Sequence, residues 1–544
     1  MCVGVNFTYV NGTHISRACR TGRGCHLIRT TAIPIIEFLG TNTHLPIEDI
    51  CAAIRERLEL PTFAFGKDER AEWGTAQRDG VEYVLSALHE PADSDGPDDG
   101  FNASIVLLVG PDCPHANDPD WSANVLVPRI AKAVAKAIGE VVVHQKTWLS
   151  NNTTPTRSRT FHPNRKDDCK VVRTETAPDS LAWVTTNEAY RPEYTGPLDF
   201  AFLVHPRGVE EKISPFPEFQ RLPLHLIERL TFLKPCTVIG GMQVERNGRT
   251  LYGELLTIPF APHDMLERLT EAREAIDAVL AYAASRRTRI LGLGALIPSI
   301  TRQGQLLANK SGSVGITTGH AFTALSIANY VRKIEREFDV KGPVAIIGAA
   351  GSTGRAATRC LLRENPKRSL ILLDLPTRLG VIVDSHRLGP QHRVTADRKD
   401  IRKAAIVVCV TNAPGSIMNA NDFAPNCVIL DDAQPENVRY EDLRSRPDLT
   451  VVKCLAHVRG LHAPFDFGLF PPGLHPEKQS LTFTCLAETI LLASLGHTGS
   501  FTVGDPKDAQ LDYLHKHAVR QGIFIAPFHS FPQIGAIDLV RQTV

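Results

Sequence analysis

At roughly 150 residues per domain, a chain of 544 residues divides into three or four domains. Apolar residues make up 43% and charged residues 22%, which excludes disordered, collagen-like and coiled-coil classes and leaves enough apolar surface for a large core. Sixty basic against fifty-nine acidic residues leave a formal charge of +1, which argues against bulk electrostatic capture of nucleic acid or an anionic membrane.

Residues 1–150 read as an accessory α/β domain of unassigned role. Met1 to Arg20 has no basic region followed by an apolar run, so no secretory signal is expected there. His14, Cys19, Cys25 and His26 lie close together but match no zinc spacing, and no metal site is expected. The pattern predicts a helix over Ile47 to Leu58 and an exposed acidic linker from Glu90 to Gly100. A strand at Ser104 to Gly110, a helix at Ala123 to Ile138 and a strand at Glu140 to His144 compose a βαβ unit. Residues 151–198 turn polar and read as an irregular connector.

Residues 199–315 read as a substrate domain. Its strands are predicted at Ala201 to His205, Cys236 to Gly240 and Thr250 to Pro259. An amphipathic helix follows from Met265 to Arg286, then a glycine-rich turn from Gly292 to Ser299. A linking helix occupies 316–340, opened by Thr317-Thr-Gly-His320.

Residues 341–470 carry the pattern of a doubly wound, parallel Rossmann sheet. A strand, Val344 to Ile347, ends in Gly348-Ala349-Ala350-Gly351-Ser352-Thr353-Gly354, which opens a helix, and a second strand closes on Asp374. Glycines let a backbone approach a pyrophosphate, and a helix start supplies free amides, so this is the context of a dinucleotide turn. Asp374 suits the ribose hydroxyls of NAD, whereas Arg378 suits the 2′-phosphate of NADP; the residues leave NADP or NAD open. Further strands are predicted at Ala405 to Val410, Cys427 to Asp431 and Thr450 to Lys453. Thr411 and Asn412 follow the first of these, on the rim where nicotinamide and reacting carbon should meet. Residues 471–544 read as a C-terminal helical segment packing on the substrate domain. No run of about 18 apolar residues occurs, so no membrane span is expected. The twelve scattered cysteines, without a CxxC pair, suit a reducing cytoplasm.

From about residue 199 to the C-terminus the chain resembles the long-chain acyl-[acyl-carrier-protein] reductases, which form fatty aldehydes. The likeness is carried by Gly292 to Ile300, Thr317 to Ala324, Val344 to Gly354, Cys427 to Asn437 and Cys485 to Leu492. It implies reduction of an acyl thioester, on a carrier protein or coenzyme A, with a cysteine taking the acyl group and a nicotinamide hydride releasing the aldehyde. Cys427 looks like the acylated cysteine, with His320, His457 and His462 as candidates to serve the oxyanion and Cys485 as a second thiol. Where the family has Thr-Thr-Gly-Asn-x-His, this chain has His320 and Phe322 in the Asn and His positions. Two other readings fit the same two-domain pattern: a dehydrogenase of the shikimate or glutamyl-tRNA reductase kind, and a non-catalytic NAD(P)-binding sensor or scaffold.

Overall fold

The computed structural model describes residues 35–89, 101–116, 118, 121–145, 157–171, 185–186, 194–207, 222–231, 236–413, 417–434, 436–438, 445–463 and 480–527. The His14, Cys19, Cys25 and His26 group and the whole Glu90 to Gly100 linker lie outside them. The chain forms two compact units: Met1–Thr185 with Ile213–Lys234, and Thr186–Lys212 with Pro235–Val544.

The first unit is an antiparallel sheet covered by helices. Its elements are β1 (Ile35–Thr41), α1 (Ile47–Leu58), β2 (Ala64–Lys67), β3 (Ala71–Arg78), β4 (Val81–Leu88), β5 (Ala103–Val109), α2 (Val127–Ile138), β6 (Val142–Gln145), β7 (Arg157–Phe161) and β8 (Asp168–Val171). Strand order is β2-β3-β4-β5-β1-β6-β7-β8. Ile50 and Ile54 of α1, and Ile130 and Val134 of α2, share one core with Ile35, Leu39, Ile105 and Leu107. The expected βαβ unit is split, because β1 lies between β5 and β6 and pairs antiparallel with both. The stretch read as an irregular connector contains β7 and β8. Their sequences, RSRTF and DCKV, lack the apolar alternation that marks a half-buried strand. A segment expected in the substrate domain also belongs here. Its helix, Leu224–Thr231, buries Leu226, Ile227 and Leu230. Its first amide donates to Asp68 at 2.8 Å, and Arg229 pairs with Glu82. One polar group in this core is fully built in: Glu37 accepts from Ser122 Oγ at 2.8 Å and lies 2.8 Å from His144 Nε2.

The second unit begins with β9 (Phe200–Val204), β10 (Thr237–Arg246), β11 (Arg249–Thr257), α3 (Pro262–Glu267), α4 (Leu269–Ser285), β12 (Ile290–Leu293) and β13 (Gly315–Thr317). The single helix expected from Met265 to Arg286 is broken at Arg268, whose φ of −118° and ψ of 51° leave helical space. Then come α5 (His320–Glu337), β14 (Val344–Ile347), α6 (Ser352–Glu364), β15 (Leu370–Leu373), α7 (Leu379–Ser385), β16 (His392–Thr395), β17 (Ile406–Cys409), β18 (Val428–Asp431), β19 (Thr450–Lys453), β20 (Leu455–Val458), β21 (Leu461–His462), β22 (Leu481–Phe483), α8 (Thr484–Ser494), α9 (Asp508–Ala518) and β23 (Ile523–Ile525).

These strands form three sheets. A mixed sheet runs β13-β12-β9-β11-β10-β21, and a small antiparallel one runs β22-β20-β23. Between them in sequence lies a six-stranded sheet, β16-β15-β14-β17-β18-β19, in which every pairing is parallel. Relabelled from its first strand this is the order 3-2-1-4-5-6, with the reversal between β14 and β17. Both faces are apolar, as a parallel sheet requires. Val344, Ile346, Val408 and Leu430 pack with α5, α6 and α8; Ala345, Ile347, Val407 and Ile429 pack with Ile401, Met418 and Phe423. Gly292 on β12 lies against Thr489 of α8, where a Cβ would overlap the threonine hydroxyl. The C-terminal helix α8 therefore seats directly on the mixed sheet. No described helix is long and apolar enough to cross a membrane.

Candidate active site

The carboxyl edge of the parallel sheet gathers most of the polar side chains singled out above. β14 ends at Gly348, whose φ is +89° and whose added Cβ would stand 2.8 Å from the Val410 carbonyl oxygen and 3.1 Å from Thr411 Cα. Only glycine lets the first and fourth strands close so tightly there. The Gly351 amide donates to Gly348 O at 2.9 Å, and a Cβ on Gly354 would overlap that same oxygen. The turn is thereby folded against the start of α6, where the amides of Ser352, Thr353 and Gly354 lie in the first helical turn without intrahelical acceptors. Gly351 and Thr353 are half-buried, whereas Ala349 and Ala350 face the core. A cradle that side chains would fill, opening onto unpaired amides and flanked by arginines, has the form and charge that suit a diphosphate.

Asp374, just beyond the end of β15, braces this turn. It accepts from the Ala350 amide at 2.8 Å and the Leu375 amide at 2.9 Å. Arg378 lies 3.8 Å from the carboxylate and donates to the Ala350 carbonyl at 3.0 Å, while Arg355 donates to the same carbonyl. Both residues expected to contact the adenosine end thus also hold the backbone of the glycine turn.

His320, the first residue of α5, reaches the turn. Its Nδ1 lies 3.1 Å from Ser352 Oγ, and Ser352 donates onward to Gly504 O at 3.3 Å. Burial lowers its pKa to about 4, against the pull of Asp505, so the ring is neutral near pH 7. Gly319, at φ +74°, lets the start of α5 press on Cys485 at the start of α8. Glu488 fixes this junction by accepting from Thr317 Oγ1 and, at 2.8 Å, from the Phe322 amide.

Thr411 and Asn412 also lie at this edge, and Asn412 is exposed. Thr411 donates through its amide (3.3 Å) and its hydroxyl (2.6 Å) to Asn437 Oδ1. At the ends of β18 and β19 stands a charged cluster that the sequence reading did not single out. Lys453 pairs with Glu436, and Arg207, three residues beyond β9, lies 3.6 Å from the same carboxylate. Asp431 accepts from the Ala433 and Asn437 amides, both at 3.1 Å; burial raises its pKa to about 7 while Lys453 opposes. Asp432 is pushed well above the usual carboxylate range by burial and by Asp431, and bonds to the side chains of Cys454 and Thr484. The signal available in the sequence was a charged residue closing each of two buried strands.

Two expected residues are elsewhere. Cys427 precedes β18 and therefore sits at the amino edge, about 15 Å from the carboxyl edge at a rise of ~3.3 Å per residue. Its side chain is 1% exposed, packed in the core with Ile401, Phe423 and Leu449, and its Sγ lies 3.7 Å from Val428 O. Burial pushes the thiol pKa up to about 12. This placement corrects the expectation that Cys427 and the glycine turn face one crevice. Reading along the chain does not show which end of a strand meets the cofactor edge until the strand's direction in the sheet is known. His457 lies on β20, stacked on Phe524 at 4.9 Å, with burial and Arg459 lowering its pKa. None of its described contacts involves the glycine turn. Among the described residues, no cluster of His, Cys, Asp and Glu is arranged to hold a metal.

No protein-family model matches this chain, and no curated protein matches it. Among solved structures, the chain is similar to a presumptive malic enzyme (malate oxidoreductase) at 14% identity and a TM-score of 0.25, over 46% of this chain. It spans 65% of that protein's length, just under two-thirds. The malic enzyme from Pyrococcus horikoshii Ot3 aligns at 12% identity and a TM-score of 0.26, over 64% of this chain and 82% of its own. An acyclic imino acid reductase in complex with NADPH and D-Arg aligns at 9% identity and a TM-score of 0.20, over 38% and 73%.

Proposed function

We propose that the second unit is a doubly wound dinucleotide-binding oxidoreductase that uses NADP or NAD. The observation that carries this is the Gly348 to Gly354 turn, placed at the strand-order reversal of a 3-2-1-4-5-6 parallel sheet and opening α6. Ser352, Thr353 and Gly354 would hold the diphosphate through their amides, with Arg378 beside the adenosine end. The nicotinamide, when bound, supplies or accepts hydride. On the substrate side, Lys453 and Arg207 carry positive charge beside Glu436, and burial and Asp431 hold the Asp432 carboxyl well above the usual carboxylate range. Such groups stabilise negative charge on a carbonyl oxygen and return a proton to it.

At the level of substrate, reduction of an acyl thioester on a carrier protein or coenzyme A to an aldehyde is supported by the sequence resemblance. The thiol that reading requires is Cys485 rather than Cys427. Cys485 is half-buried where the other described thiols are buried, and it opens α8 against Gly319. Burial and Asp432 push its pKa up to about 12, so acyl transfer to it needs a base to remove the proton.

The test is titration of the full chain with NADH and NADPH, followed by oxidation assays on acyl-CoA and acyl-carrier thioesters and on simple ketones. Binding below about 100 μM with turnover of a carbonyl substrate supports the proposal, and peptide mapping of a trapped acyl-enzyme to Cys485 supports the thioester reading. No binding by folded protein at about 1 mM defeats it. Tight binding with no turnover on any carbonyl compound would move the reading to a nucleotide sensor.

A further inference from the structure

Asn437 is fully buried, and nearly every polar group it owns is spoken for. Its amide N–H donates to Asp431 Oδ2 at 3.1 Å, and its carbonyl accepts from the Ile417 and Met418 amides, both at 2.9 Å. Its Oδ1 takes both the amide and the hydroxyl of Thr411. A backbone amide only donates, so the atom facing Thr411 is the oxygen, and the side-chain orientation follows without ambiguity. What remains is Nδ2: two N–H donors, buried, with no acceptor among the described residues. Buried donors are almost always satisfied, and one left open costs stability that folding does not recover.

The place of this donor says what would satisfy it. Thr411 packs directly on Gly348, so the Asn437 amide is one residue removed from the glycine turn. It lies on the β17 and β18 side of the strand-order reversal, opposite Asp374 and Arg378. In a dinucleotide laid across such a reversal, the adenosine half goes to the second-strand side and the nicotinamide half to the fourth-strand side. We infer that the free N–H of Asn437 donates to the carboxamide oxygen of the bound nicotinamide and sets which face of the ring is turned to the substrate. This rests on the dinucleotide reading above.

The experiment separates the two ideas by using ADP-ribose, or its 2′-phosphate if NADPH is the tighter cofactor, which lacks the nicotinamide ring. Asn437→Asp keeps the acceptor for Thr411 and removes the donor. The expected result is a loss of about 10- to 100-fold in affinity for NAD(P)H with ADP-ribose affinity held within about twofold. Equal losses for both ligands, or none for either, overturn the inference while leaving the dinucleotide site standing. Failure of the parent protein to bind either ligand overturns the dinucleotide reading itself. If Asn437→Asp does not fold, Thr411→Val serves instead. It removes the hydroxyl that orients the amide, and a selective loss for NAD(P)H of about threefold or more is expected; an equal loss for both ligands counts against the inference.

Discussion

His320 Nδ1 stands 3.1 Å from Ser352 Oγ, joining the first residue of one long helix to the first residue of the helix that follows the glycine turn. Burial lowers the imidazole pKa from 6.5 to about 4. The unfolded chain takes up a proton here as pH falls through 6.5, and the folded chain only near 4. The stability that depends on the neutral ring is therefore complete above pH 6.5 and lost as pH falls towards 4. Urea midpoints of the parent should fall more steeply over that window than those of His320→Asn, with a constant difference above pH 7. Parallel curves throughout would show that the ring is not held neutral.

Gly348→Ala and Gly354→Ala should each abolish measurable NAD(P)H binding. The first added methyl meets the Val410 carbonyl and the second the Gly348 carbonyl, so the turn must open. Fluorescence titration checks this, with circular dichroism to show that the protein remains folded. Retained affinity in both variants would place the nucleotide somewhere else.

Cys427→Ser should leave nucleotide affinity, and any turnover, within about twofold of the parent. The native thiol should resist iodoacetamide until denaturant is added, because it is buried and its pKa is raised to about 12. Rapid alkylation of Cys427 in the folded protein, read by peptide mass spectrometry, would contradict its placement.

Arg378→Ala is expected to weaken NADPH by about tenfold or more and NADH by less than about threefold, the scale of one charge-assisted contact to a phosphate. The Arg378 side chain is 44% exposed and its guanidinium is already aimed at the glycine turn, within reach of a 2′-phosphate there. Equal losses for the two cofactors would assign it only the task of bracing Ala350.

In the first unit, Glu37→Ala should cost about 3 kcal/mol in urea denaturation, since it strands the Ser122 hydroxyl and the His144 ring in the core. A change under about 1 kcal/mol would mean that the site relaxes or admits water.

Much of the second unit was legible from residue order. Val344 to Ile347 is an unbroken apolar run ending in glycines, and only a buried parallel strand feeding a tight turn makes sense of it. The ends of the later strands were also visible. Their chemistry was not, because Asp431, Lys453, Glu436 and Arg207 meet only after β9 and two strands of another sheet, β18 and β19, converge. Asn437 entered only as the last residue of a matching segment, because its unpaired Nδ2 is a property of packing. Cys427 was noticed for its chemical type, and the direction of β18 removed it from the edge where that type would matter. The short strands β7 and β8 were missed because their sequences, RSRTF and DCKV, lack the apolar alternation of a half-buried strand.

The helix Leu224–Thr231 belongs to the first unit, although the chain has by then already entered the second and must return to it. The two units are consequently interleaved along the polypeptide rather than strung in series. A truncation that keeps residue 186 onward would carry this helix without its partners, presenting Leu226, Ile227 and Leu230 to solvent. Separating the second unit for expression therefore calls for excising 213–234 and bridging the gap, since a single cut leaves an adhesive surface behind.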